Sequence, residues 1–151
     1  EVDMGTVERV DLVGLCAAEC ARVGAGLEVP EGMSSLEVSA VGKLLRRMVR
    51  NLLENAMRYG AADGQEDAVV LSLSHEASGP VLRVRDRGPG VPPAYRERIF
   101  EPFFRLPGAS ERSGGVGLGL ALVKSIAQRL GWAVHCEERP GGGACFVVRF
   151  V

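Results

Sequence analysis

The chain has 151 residues, the length of one ordinary domain, and 46% of them are apolar, enough for a buried core and too many for a disordered tail. A formal net charge of −1 lacks the basic footprint of a nucleic-acid binder, and no apolar run reaches the roughly 18 residues of a membrane-spanning helix. The four cysteines, Cys16, Cys20, Cys136 and Cys145, form no CxxC pair and read as small buried residues of a reducing compartment.

In chain order, residues 7–10 read as a short strand. Asp11 then stands at the N-cap of a helix running to about Val23, where Gly24 and Gly26 end it. Residues 27–29 form a short apolar strand closed by Pro30. A second helix is predicted from about Ser39 to Tyr59, stopped by Gly60, and residues 61–67 are a polar loop. Residues 68–75 and 81–86 alternate apolar and polar side chains as strands do, with Gly79-Pro80 as the hairpin turn. The next stretch is rich in Gly and Pro, with a short helix near 93–99. A third long helix covers 119–130. Strands at 132–136 and 144–150 close the chain around the glycine turn 141–143. Three long helices beside five or six strands, with hairpins rather than strict alternation, predict an α+β two-layer sandwich: a mixed sheet of about five strands with the helices on one face. Glu1 in place of a start Met, and a pattern still running at Val151, predict that this single domain is a piece of a longer protein.

The second helix carries the first chemical signal. At about 100° per residue, Val41, Leu45, Val49, Leu52 and Ala56 fall on one face and Lys43, Arg46, Arg47, Arg50, Glu54 and Arg58 on the other. Asn51 and Asn55 lie on the shoulder between them, four residues apart. Asparagine is a poor helix former, so the pair either serves as solvated surface or offers neutral amide oxygens, hard ligands suited to Mg²⁺ beside phosphate. The second signal is DRGPG (86–90), directly after a strand: an ordinary turn, or a carboxylate at a strand tip that accepts from an exocyclic base amine while Gly88 and Gly90 let the backbone approach a ligand. The third is GGVGLGL (114–120), opening the last helix. Closely spaced glycines before a helix make exposed N–H groups suited to phosphate. The spacing is GxGxG, so it is neither the dinucleotide fingerprint nor a Walker loop. Between these signals, Phe100, Phe103 and Phe104 precede a polar segment, the pattern of an apolar anchor and a lid.

Together and in this order, these elements resemble the catalytic ATP-binding domain of bacterial sensor histidine kinases, in the superfamily shared with DNA gyrase, Hsp90 and MutL. NLLENAMRY (51–59) is similar to its N box, DRGPGVP (86–92) to G1, FEPFFR (100–105) to the F box, GVGLGLALVKSIA (115–127) to G2 and GGGACF (141–146) to its last glycine motif. The resemblance implies the Bergerat-type ATP-binding fold, with ATP and Mg²⁺ as cofactors. It implies that Asn55 binds Mg²⁺, that Asn51, Arg58 and Tyr59 contact phosphate or ribose, and that Asp86 reads the adenine amine. Gly88 and Gly90 would shape the base pocket. Gly115, Gly117 and Gly119, with Leu118 and Leu120 between and after them, would form the lid hinge and phosphate face, and Phe103 and Arg105 would be lid or phosphate contacts. Asn51, Asn55, Arg58 and Arg105 would be the catalytic set.

The chain departs from the family pattern at Ala144 and Cys145, where a hydroxyl often stands after the glycine turn. It has only His75 and His135, neither in an acceptor motif, so the implied partners are its own dimerisation and phosphoacceptor domain and a cognate response regulator, with no nucleic acid and no direct membrane contact. The implied place is a cytoplasmic domain of a protein anchored in the inner membrane. Superfamily ATPases and serine kinases carry Glu four residues before the metal-binding Asn; here Asn51 stands there. The alternatives are such an ATPase or serine kinase, or a nucleotide-binding docking module without catalysis.

Overall fold

The computed structural model describes residues 5–60, 68–106 and 118–150. In chain order it contains β1 (Glu8–Asp11), α1 (Leu12–Val23), β2 (Gly26–Glu28), β3 (Glu37–Ala40), α2 (Gly42–Gly60), β4 (Val70–Glu76) and β5 (Gly79–Arg85). Two single-turn 3-10 helices (Pro93–Tyr95 and Arg98–Phe100) follow, then α3 (Gly119–Leu130), β6 (Ala133–Glu138) and β7 (Ala144–Arg149). The main sheet has the order β2-β4-β5-β7-β6, with β2 parallel to β4 and the other pairs antiparallel. β1 and β3 form a separate antiparallel pair.

Strand alternation explains the layering. Leu71 and Leu73 of β4, Leu82 and Val84 of β5, Phe146 and Val148 of β7, and Val134 and Cys136 of β6 share one face and are buried with residues of all three α-helices in a single core. The helices therefore cover one face of a mixed five-stranded sheet. On the other face Val81, Cys145 and Val147 make a small separate cluster. Arg83 and Arg149 both bind Glu76, at 2.8 and 3.1 Å, and Arg85 Nη2 pairs with Glu28 while its Nε is buried without a hydrogen-bond partner among the described residues, so arginine stems roof this cluster.

Local chemistry sets the element ends. Asp11 Oδ1 accepts from Val13 N at 3.0 Å and from Leu36 N at 2.9 Å, so one carboxylate both caps α1 and fixes the segment leading into β3. Gly24 ends α1 in the left-handed region at φ 76°. In α2, Leu45, Met48, Val49, Leu52, Leu53 and Ala56 are fully buried, each of the larger ones worth about 1.5–3 kcal/mol of transfer free energy. Among the described residues no helix is long and apolar enough to cross a membrane.

Three boundaries differ from the sequence expectation. α2 begins at Gly42 rather than near Ser39, because Glu37–Ala40 alternates exposed and buried residues and pairs with β1. The β4–β5 turn lies at residues 77 and 78. Gly79 and Pro80 already belong to β5, and a Cβ on Gly79 would stand 2.9 Å from the Phe150 carbonyl oxygen. The helix expected near 93–99 is the two 3-10 turns, the first opened by Pro93.

Candidate active site

Asn51 and Asn55 lie one turn apart on α2, both half-buried at the margin of its buried stripe. Asn51 faces the start of α3: a Cβ placed on Gly119 would lie 3.9 Å from Asn51 Oδ1. Leu118, at the N-cap of α3, makes no side-chain capping bond. Among the described residues no side chain caps the start of that helix, which lies beside an amide side chain with the positive end of the helix dipole behind it.

The position of α2 is held from the opposite side. Glu19 of α1 is buried, and it accepts from Arg50 Nε at 2.8 Å, from Arg50 Nη2 at 3.0 Å and from Arg22 Nε at 3.3 Å. The Arg50 bonds, more than any other influence, hold its carboxyl below the usual carboxylate range, against the upward push of burial. Arg50 immediately precedes Asn51, so this clamp helps fix the rotation of the helix that presents the asparagine pair.

Asp86 follows β5 and is 4% exposed. Its Oδ1 accepts from Gly88 N at 2.9 Å and Ala144 N at 3.1 Å, and its own N–H donates to the Ala144 carbonyl at 2.9 Å. A buried carboxylate needs such donors. The glycine turn is pressed against this strand end. Gly143 has φ 110°, and a Cβ there would stand 2.0 Å from the Asp86 carbonyl oxygen; one on Gly90 would stand 3.2 Å from the Gly143 carbonyl oxygen. The backbone of 141–144 and the DRGPG segment therefore form one unit, through contacts that only glycine at 143 permits.

A family model described as histidine kinase-, DNA gyrase B- and HSP90-like ATPase matches residues 40–151. The chain belongs to this ATPase family. Among its relatives, the sensor protein RstB of Escherichia coli is 46% identical over 105 residues, 69% of this chain and 23% of that protein. The sensor protein KdpD of the same organism is 38% identical over 123 residues, 81% of this chain and 13% of that protein. The chain thus spans less than a quarter of either relative. Among solved structures, the mycobacterial sensor histidine kinase MprB superposes with a TM-score of 0.77 at 28% identity, covering 95% of both chains. Full-length ShkA in complex with AMPPNP gives 0.78 at 28% identity, covering 97% of this chain and 31% of that one.

The remaining residues of this ATPase-family domain fall as follows. Phe100 is buried, edge-on to Phe146 at 6.1 Å, and Lys124 Nζ lies 5.6 Å over its ring. Phe104 is half-buried against Tyr95, at 5.9 Å, with Arg98 stacked over it at 4.8 Å. Phe103 is 68% exposed with φ 65°, so the apolar anchor is Phe100 with Phe104, and Phe103 points outward. Arg58 and Tyr59 are exposed at the end of α2, stacked 6.0 Å apart, and Arg105 is exposed at the end of the F box. Leu118 is exposed and Leu120 packs against the core. Gly88 is half-buried beside Asp86. Gly115 and Gly117, with the stretch expected to form the lid, lie outside the described residues.

All four cysteines are free and buried, as expected. Burial pushes the thiols of Cys20 and Cys136 up to about 11 and about 12, which keeps them protonated at neutral pH. Two site features lay outside the sequence reading. One is the Glu19–Arg50 clamp, which leaves no local pattern. The other is the bond from Ala144 N–H to Asp86, which only the contact between the glycine turn and β5 reveals; the GGG triplet was its one visible trace.

Proposed function

We propose that this domain binds Mg·ATP between α2, the start of α3 and the end of β5, and presents the γ-phosphate to a histidine on a separate helical domain, as the catalytic half of a two-component sensor kinase. The observation that carries the reading is Asp86. It is a buried carboxylate whose two backbone donors both meet Oδ1, so Oδ2 is the oxygen for an exocyclic purine amine. A charged acceptor of this kind contributes about 1.5–3 kcal/mol. It reads adenine, whose amine donates where guanine presents a carbonyl.

The phosphate end rests on the start of α3, which no side chain caps among the described residues, beside Asn51 and with Arg58 and Arg105 as cations within the implied site. The donor set on α2 fits magnesium: Asn55 would hold the ion by its neutral amide oxygen, a hard ligand suited to it beside phosphate. When bound, the ion neutralises charge on the transferring phosphoryl group. The residue four before Asn55 is Asn51, and Glu54 is exposed on the outer side of α2, so no carboxylate stands where the water-activating base of the superfamily ATPases would. This supports transfer over hydrolysis. The domain's own work is then positioning: it holds the nucleotide and leaves the acceptor to supply the nucleophile.

The test uses labelled ATP, the domain and its separately produced acceptor domain. Label should appear on the acceptor histidine only when both are present. Asp86→Asn should reduce the preference for ATP over GTP by about ten-fold, the worth of one charge-assisted bond. Tight ATP binding with no label on any acceptor would leave a docking module. Undiminished base selectivity in the variant would remove Asp86 from the site.

A further inference from the structure

A cavity of about 600 Å³ lies at one edge of the main sheet, bounded by the edge strand β6, α3 and the two 3-10 turns. Neither α2 nor residues 86–90 line it, so it is separate from the Asn51–Asp86 site. Its volume falls within the roughly 300–1,000 Å³ of small-ligand pockets.

The lining is unbalanced in charge. Arg96, Arg98 and Lys124 face one carboxylate, Glu97, with His135 beside them. Some of this charge is met locally: Arg98 Nε is 3.8 Å from Glu101, and His135 Nε2 is 2.9 Å from Glu137. Arg96 and Lys124 have no carboxylate partner among the described residues. Arg96 Nε donates to the neutral Val91 carbonyl at 3.0 Å, which pins the guanidinium by one nitrogen. Lys124 Nζ rests over the Phe100 ring. Two half-buried, oriented cations on different elements line one cavity, neither in an ion pair among the described residues, and form a site that an anion completes. Behind them Phe100, Val134 and Cys136 offer a buried apolar wall.

We propose that this cavity is a second ligand site, for a small amphipathic anion whose carboxylate or phosphate is gripped by Arg96 and Lys124 and whose apolar body lies against Phe100 and Val134. Lys124 belongs to the helix whose first turn faces Asn51, so a ligand held here bears on the same helix as the nucleotide site.

The test follows backbone amide shifts of the 151-residue chain during titration with phenyl phosphate, inorganic phosphate and benzyl alcohol. Phenyl phosphate should give saturable shifts at residues 96–100, 124 and 134–136, and more tightly than either of the other probes. Lys124→Gln and Arg96→Gln should each weaken it about ten-fold, the loss of one charge-assisted bond, with the rest of the spectrum unchanged. Should a variant fail to fold, wild-type affinity must still fall as salt rises, since the grip is electrostatic. The site is refuted if the cavity residues show no saturable shift, if Lys124→Gln titrates like wild type, if benzyl alcohol binds as well as phenyl phosphate, or if salt leaves the affinity unchanged.

Discussion

At Gly143 the chain passes so close to Asp86 that a methyl group has no place to go: the Cβ position lies 2.0 Å from the Asp86 carbonyl oxygen, at a φ of 110°. Gly143→Ala must therefore move either the glycine turn or the end of β5, and with it the Ala144 N–H that braces the carboxylate. The expected cost is about 2 kcal/mol or more, measured by urea unfolding, together with weaker ATP binding. A variant within about 0.5 kcal/mol of wild type would mean that the turn yields easily and does not hold Asp86. Asn55 belongs to the same scale but to a different function. Asn55→Ala removes a neutral oxygen from a half-buried shoulder and leaves the α2 core intact, so stability should change little. Nucleotide affinity measured by calorimetry with magnesium should fall about ten-fold, while affinity in EDTA stays the same. Equal losses in both conditions would assign Asn55 to the nucleotide rather than to the ion.

Elements hold these residues in register, and α2 is set by two unlike forces. Its apolar stripe packs into the core, and its Arg50 is clamped to the buried Glu19 of α1. Arg50→Leu keeps bulk on the helix and leaves a carboxylate that is 4% exposed with only Arg22 beside it, so the unfolding midpoint should drop at neutral pH. The sign with pH follows from the bonds from Arg50, the largest influence lowering the Glu19 pKa. The stabilisation is full above the unfolded-state carboxylate value and is lost as pH falls through the lower folded one. The gap between variant and wild type should narrow in acid; a pH-independent gap would mean that Arg50 acts through packing alone. The buried stripe of α2 and its two asparagines were legible from the 3.6-residue period. The clamp was not, because its partner lies 31 residues away and nothing local distinguishes Glu19 from a solvated helix glutamate. The start of α2 was misplaced for a related reason: Glu37–Ala40 is four residues long, and only its pairing with β1 makes it a strand.

Over the whole molecule, the sandwich and the order of its boxes were readable because each box has its own backbone chemistry: glycines where the chain crowds, an aspartate at a strand tip, amides on a helix. What stayed hidden is how distant boxes meet, as Ala144 N–H does with Asp86 across 58 residues. The outer face of the sheet was equally hidden, since alternation predicts polar residues there but not that Glu76 of β4 gathers Arg83 of β5 and Arg149 of β7 across three strands. That junction ties the middle of the sheet together and makes an acid-sensitive point. Hydrogen bonds from Arg83 and then Arg149 hold the Glu76 carboxyl down at about 2. Its folded value lies below its unfolded one, so its contribution is present at neutral pH and fades between about pH 4.5 and 2. Glu76→Gln should unfold more readily than wild type at pH 7, and the two should converge as pH falls through that window. The three side chains are partly exposed, so 0.5 M salt, about a threefold rise over physiological strength, should also shrink the difference. Denaturant midpoints collected across pH decide it: curves that run parallel down to pH 2 would mean that the arginines hold the sheet by covering Val81 and Val147 and that the charge of Glu76 adds nothing.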